Sequence, residues 1–311
     1  MGGEATGGFV DLHLHSTASD GTFEPAELVE RALSKGLRAI AITDHDTVGG
    51  VPAGMEAGRE QGLEVVPGIE IGIAHEPERG LVEVDILGYL VDPGHAGLLE
   101  SMDAMQEAKN GKLRNQIAVL ADNGYPIPES EVLEVASGDT VRRPHIWKVL
   151  SRRHKNLAPE EFFDRTSFGG DWHVSKTFSV SLEESVALIE SAGGVPVMAH
   201  PGCYNTTFAR NGQLIDPGVD SAIRVCAEAG VKGLEVIYPY DKGRPYYSDE
   251  PLISRDQLRE LWSHYRALAD KLGLTATGGT DFHGTNKPQI EVGEVEVPYA
   301  ALARLKELAG R

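Results

Sequence analysis

Cysteine, aromatic side chains, positive charge and long apolar runs are all scarce in this chain of 311 residues. Two cysteines, Cys203 and Cys226, cannot build a disulfide framework, which excludes the small stapled folds and fits plain thiols in a reducing compartment. No apolar run approaches the roughly 20 residues needed to cross a bilayer, so no membrane span is expected. The opening MGGEATGG has neither the basic leader nor the apolar segment of a secretory signal, and a cytoplasmic location follows as the expectation. Lys and Arg number 29 against 47 Asp and Glu, a net charge of −18, which argues against a broad phosphate-tracking surface and so against long nucleic acid as a partner. A small phosphorylated substrate remains compatible, because bound divalent cations invert the field of an acidic pocket. There is no Gly-x-Ser-x-Gly elbow and no P-loop, so neither a serine nucleophile nor ATP as phosphoryl donor is expected.

What the chain does have is a rhythm. Short apolar runs at 9–13, 39–43 and 63–70 alternate with amphipathic stretches at 25–35 and 51–61, the pattern of βαβ units with parallel strands. Further strands are predicted at 82–89, 194–199, 233–237 and 274–278, with helices at 181–191, 219–229 and 256–272 between the late ones. Ser181 and Glu184 form a capping-box pattern. Seven strands with these helices predict an α/β fold, a distorted β/α barrel. Between Gly94 and Lys176 the strand rhythm gives way to helical periodicity at 98–123, 129–135, 144–154 and 159–165. The predicted organisation is a barrel domain of residues 8–93 and 177–311 with a helical cap at 94–176. Insertions of this kind commonly sit on the catalytic face of a barrel.

The chemistry-bearing residues fall at strand ends. His13 and His15 lie two apart at the end of the first strand, so their side chains project to one side and can share a cation. Asp20 follows in the loop, His45 ends the second strand, Glu70 the third, His200 the fifth, and the last runs into Asp281 and His283. A single histidine at a strand end is more often structural than a ligand. Recurrence of ligand-type residues on the one barrel face where catalytic groups gather points instead to a metal centre. Asp44 and Asp46, which flank His45, fit either an orienting role or turn service, Asp11 fits support of the fold, and Gly278 and Gly279 fit a sharp backbone path.

The segments DLHLHSTASDG at 11–21, AITDHD at 41–46, GIE at 68–70, AHP at 199–201 and GGTDFHG at 278–284 resemble, in order, the PHP (polymerase and histidinol phosphatase) superfamily of metal-dependent phosphoesterases. The helical insert makes the chain look most like the subgroup acting on nucleotide phosphates. The resemblance implies a seven-stranded barrel with two or three divalent ions, manganese, iron, zinc or magnesium. It implies a first ion on His13, His15, Glu70 and Asp281, a second on Glu70, Asp85 and His200, and a third on Asp20, His45 and His283. Asp85 departs from the pattern, since relatives usually carry a histidine there; a carboxylate is a harder ligand and favours manganese, magnesium or iron over zinc. His75 reads as part of a polar loop rather than as its substitute. Cys203 stands where nucleotide-type relatives often carry a basic residue. Its charge can come from Lys112, Arg114, Arg142, Arg143, His145 or Lys176, of which Arg143 and His145 belong to an Arg-Pro-His grouping that also resembles the subgroup.

The expected activity is hydrolysis of a small phosphomonoester, such as a nucleoside 3',5'-bisphosphate or a short oligonucleotide, by water that the ions activate, with no catalytic side chain beyond the metal ligands. Alternatives are a cyclic-phosphate phosphodiesterase, a histidinol-phosphate-type phosphatase, and a noncatalytic metal-binding accessory module.

Overall fold

The computed structural model describes residues 7–136, 141, 143–175, 178–201, 214–242 and 253–311. Its first half runs β1 (Phe9–Leu14), α1 (Pro25–Ser34), β2 (Ala39–Ile42), α2 (Val51–Gln61), β3 (Glu64–Gly72) and β4 (Asp85–Tyr89). Four helices follow, α3 (Ala96–Asp122), α4 (Glu129–Ala136), α5 (Arg143–Arg153) and α6 (Pro159–Thr166). The chain then continues with α7 (Leu182–Ser191), β5 (Val195–Met198), α8 (Pro217–Glu228), β6 (Gly233–Ile237), α9 (Arg255–Leu272), β7 (Thr275–Gly278), β8 (Val297–Pro298) and α10 (Tyr299–Leu308). Strands β2 and β5 are buried at every position, as strands covered by helices must be, which is why they read as unbroken apolar runs. The capping box at Ser181 and Glu184 forms as predicted, and Ser254 with Gln257 makes a second one.

The strands make one sheet in the order β7-β6-β5-β4-β3-β2-β1-β8. Past β7 the chain turns onto the free edge of β1: Asp281 N donates to His13 O at 2.8 Å and His15 N to Phe282 O at 3.0 Å. The barrel is thereby nearly closed. Gly279 makes the approach possible, because a Cβ there would stand 2.4 Å from His13 Cβ and 2.5 Å from His13 N.

Two features differ from the sequence expectation. Among the described residues eight strands form rather than seven, because the two residues of β8 pair antiparallel with Phe9 and Val10; a strand so short carries no periodicity, and α10 behind it is a further element the sequence reading lacks. Strand β4 runs antiparallel to both β3 and β5 instead of continuing the parallel series. The connection 73–84 holds only the short 3-10 turn Pro77–Arg79, too little for the helical crossover that a parallel pair requires. The reversal brings the first residue of β4, Asp85, to the barrel face where the other strands end.

The apolar packing falls into a barrel part and a helical part. Leu98, Met102 and Met105 of α3 pack with Ile69, Ile71 and Val186 around the barrel. Leu113 and Leu120 of the same helix join Val132, Ile146, Phe162 and Trp172 in a separate cluster among α3 to α6. Among the described residues no helix is long and apolar enough to cross a membrane.

The close approach at Gly279 predicts that Gly279→Ala lowers the urea midpoint of unfolding, by about 1–3 kcal/mol from overpacking. Gly111→Ala, with open space around the new methyl within α3, should instead leave stability unchanged or raise it by up to about 1 kcal/mol. Equal effects at the two positions would contradict the closure at Gly279.

Candidate metal centre

The barrel mouth gathers ligand-type side chains from the first 70 residues, from His200 and from the 281–283 segment, almost wholly removed from solvent. His13 Nε2 and His15 Nε2 lie 3.1 Å apart, Glu70 Oε2 is 3.4 Å from the first and 3.3 Å from the second, and Asp281 Oδ1 is 3.5 Å and 3.2 Å from them. Ligands about 2.0–2.1 Å from one tetrahedral cation would stand roughly 3.3 Å from one another. Glu70 Oε2 and Asp281 Oδ1, both buried, accept no hydrogen bond, and His15 Nδ1 makes none. Buried carboxylate oxygens left this way are costly unless a cation compensates them, so the donor set fits a divalent ion.

Three groupings have the compactness a cation needs: His13, His15 and Asp281; His13, Glu70 and His200; and His15, Asp20, His45 and His283. In the last, His283 Nε2 is 3.1 Å and His45 Nε2 3.8 Å from Asp20 Oδ1, and the His15 ring lies 4.0 Å from that of His283. His15 thus faces two groups, whereas the resemblance placed it in one. Glu70 reaches His200 Nε2 at 2.9 Å through Oε1 and stands 2.8 Å from His45 Nδ1 through Oε2. Asp85 enters none of the groups. Its carbonyl accepts from Ala199 N at 3.0 Å, which puts its backbone beside the His200 segment at the same barrel face.

The protonation tendencies describe a strongly negative pocket. Burial alone would lower the His15 pKa, but the carboxylates of Asp281 and Glu70 beside its ring raise it to about 9. His13 is driven well above the usual imidazole value against its burial by Glu235, Glu70 and Asp281. Burial works against ionisation of Asp281, yet the Lys287 ammonium and nearby histidines hold its carboxyl well below the ordinary range. A pocket that pulls protons onto its imidazoles is one in which a divalent cation can replace them.

A buried outer ring fixes these side chains. Glu235 of β6 accepts from His13 Nδ1 at 3.0 Å and from His200 N at 2.8 Å, which leaves His13 Nε2 directed at the cluster. Tyr238 donates to Asp281 Oδ2 at 2.8 Å and Lys287 bonds the same oxygen, turning Oδ1 toward the histidines. Asp281 itself is held at φ 54, a left-handed conformation unusual for a non-glycine residue. Asp44 accepts from Ser16 N, Ser16 Oγ and Ser19 Oγ at 2.6–2.7 Å and so braces the loop between His15 and Asp20. Asp11 takes Thr280 N, Thr280 Oγ1 and Gly293 N, joining β1 to the segment that carries Asp281. Glu235, Tyr238 and Lys287 were not singled out in the sequence. Each sits outside the His-Asp motifs, and only Glu235 left a signal, a charged residue inside the apolar run of β6.

The residues expected to contact substrate divide. Arg143 donates to Ser167 Oγ at 2.7 Å and lies 3.6 Å from Glu83 Oε1. Glu83 in turn lines a small cleft with Val84, Met198, His200, Val219 and Ala222. Lys112 and Arg143 both act on His173, whose pKa is lowered by burial and by their charges. His75 packs its ring 4.5 Å from Phe168, and so belongs to this seam between barrel and helices. His145 is buried on α5, and Arg114 is exposed between Glu107 and Glu129. Lys176, Arg142 and Cys203 lie outside the described residues.

Comparison with known proteins gives concordant results. The PHP domain family matches residues 11–161. A phosphoribosyl 1,2-cyclic phosphate 1,2-diphosphodiesterase of Eggerthella lenta is 28% identical over 88% of this chain and 94% of its own. A 3',5'-nucleoside bisphosphate phosphatase of Chromobacterium violaceum is 28% identical over 92% of this chain and 91% of its own. A 5'-3' exoribonuclease of Haemophilus influenzae is 32% identical over 63% of this chain and 70% of its own. The solved structure of a candidate metal-dependent phosphoesterase from Bifidobacterium adolescentis superposes with a TM-score of 0.76 at 28% identity, over 97% of this chain and 98% of that one. With its ordered His-Asp motifs, nearly closed barrel and this agreement along nearly the whole length, the chain belongs to the PHP-domain family.

Proposed function

We propose that this protein hydrolyses a small phosphomonoester, a nucleotide such as a nucleoside 3',5'-bisphosphate or a short oligonucleotide, with two or three divalent ions at the barrel mouth. The observation that carries this reading is the set of buried, compensation-seeking donors of His13, His15, Glu70 and Asp281. Bound manganese, iron, zinc or magnesium would supply a water of lowered pKa and a clamp on the phosphoryl oxygens. His13, His15, Glu70 and Asp281 would hold one ion, Glu70 and His200 a second, and Asp20, His45 and His283 with His15 a third. Asp85 would reach the second only by a side-chain movement, and it is the weakest member of the proposed set.

The chain's own groups prepare the rest. Glu235 keeps His13 in one orientation, and Tyr238 with Lys287 presents one oxygen of Asp281. Residues 94–176 would serve as the cap over this face. The cations Arg143 and Lys112, with the His173 ring between barrel and helices and joined through Glu83 to the cleft beside His200, would receive the nonreacting anionic part of the substrate. His145 would support Arg143 from within α5. Arg114 is too far committed to the solvent-facing carboxylates of Glu107 and Glu129 to be favoured as a contact. A cytoplasmic location completes the proposal, in keeping with the free buried thiol of Cys226. The Eggerthella relative favours a second reading, a cyclic-phosphate phosphodiesterase.

Manganese-loaded protein incubated with nucleoside bisphosphates, nucleoside monophosphates, short oligonucleotides, sugar phosphates and cyclic phosphates, with products separated by chromatography, should turn over the bisphosphates or oligonucleotides fastest, giving inorganic phosphate from the former and mononucleotides from the latter. Preference for the cyclic phosphates would establish the second reading, and stoichiometric metal without turnover of any ester would make the protein an accessory module. Loss of one charged hydrogen-bond donor typically costs about 1.5–3 kcal/mol. Arg143→Ala is therefore expected to raise KM for a bisphosphate at least tenfold while kcat changes little, and an unchanged KM in steady-state kinetics would remove the seam from the substrate site.

A further inference from the structure

Helix α3 spans 27 residues, about 40 Å, and leaves one apolar cluster to enter another along its length. Its inward stripe reads Leu98, Met102, Met105, Lys109, Leu113, Gln116 and Leu120, the three- and four-residue spacing of a buried helix face. Met105 belongs to the barrel cluster and Leu113 to the helical one. Between them, where an apolar side chain would continue the stripe, stands Lys109, only 4% exposed, with its ammonium in an ion pair with Asp46 Oδ2.

Asp46 is an unusual anchor. It holds φ at 52, its N donates to Glu70 O at 2.8 Å, and its Oδ1 accepts from Gly72 N at 3.1 Å. It therefore clasps the β3 backbone on both sides of Ile71, directly after Glu70, and it immediately follows His45, whose own backbone bridges to Glu70. One buried ammonium thus connects the point at which α3 changes cores to the turn that aims His45.

We infer that Lys109 is a positioning residue: through Asp46 it sets the His45 turn, so that docking of α3 and completeness of the His15, Asp20, His45 and His283 group depend on one another. Removing the lysine leaves the buried Asp46 carboxylate without its cation, which disfavours its present position. Movement of Asp46 carries His45 with it. The inference rests on reading that group as a cation site, and the test separates the two.

Wild-type protein, Lys109→Met, Lys109→Arg and the double variant Asp46→Asn with Lys109→Met are to be dialysed and titrated with manganese. Bound metal is counted by elemental analysis, free manganese is followed by EPR, and thermal melting is recorded alongside. Outer-shell partners of metal ligands typically change affinity 10–100-fold. Lys109→Met is expected to keep a cooperative melt and to weaken the last ion bound at least tenfold, Lys109→Arg to recover most of that affinity, and the double variant to melt near wild type while still binding the last ion weakly. Manganese affinity unchanged in a folded Lys109→Met, or in the double variant should the single fail to fold, would overturn the inference and leave Lys109 as a packing element. Wild-type protein that bound no manganese would overturn the cation-site reading itself, and the inference with it.

Discussion

The carboxylate of Glu70 is fully buried, and around it stand imidazoles brought from three segments: His13 of β1 with His15 just beyond it, His45 beyond β2, and His200 beyond β5. An isolated carboxylate so buried would be neutralised by a raised pKa; here the surrounding histidines hold it well below the ordinary range despite its burial. His13, His15 and His200 are pulled upward in turn by the acids among them, against their burial. This mutual dependence of buried charge constrains the rest of the barrel mouth, because no member can move without leaving another uncompensated.

The fold answers with an outer ring of acids that bind backbone, hydroxyl and ammonium donors and, through Glu235, the outer nitrogen of His13. Asp11 binds the Thr280 segment, Asp44 binds Ser16 and Ser19, Asp46 binds the β3 backbone and Lys109, and Glu235 binds His13 and the backbone of His200. Their burial raises the Asp11 and Asp44 pKa values, offset in part by the hydrogen bonds they accept and, for Asp44, first by the charge of His15. Rigidity at the mouth therefore comes from polar bracing, whereas the helices around it are held by apolar packing. Phosphoester hydrolysis gains from such pre-placed charge, since little reorganisation is left for the reaction itself.

Much of this was legible in the sequence for a definite reason. A barrel requires apolar runs of strand length separated by amphipathic helices, and a shared cation requires His, Asp and Glu at strand ends, so both leave periodic or spaced traces. His13, His15, Asp20, His45, Glu70, His200, Asp281 and His283 all arrive at one mouth. What escaped had no local trace. The reversal of β4 depends on the length of the 73–84 connection, the β8 pairing on two residues, and the roles of Tyr238 and Lys287 on contacts with Asp281 made 43 and 6 positions away. Lys109 was hidden among helix-surface charges, although its place in the apolar stripe of α3 marked it. Asp85 shows the converse: its motif position suggested a ligand, but reaching the barrel face is a property of the backbone, and grouping with the other donors is a property of the side chain.

The most direct test of the account is a crystal structure of manganese-loaded protein with data collected at the manganese edge. Anomalous peaks are predicted among His13, His15 and Asp281, beside Glu70 and His200, or within the His15, Asp20, His45 and His283 group. Peaks confined to surface carboxylates, with the barrel mouth closed by its own hydrogen bonds, would contradict it.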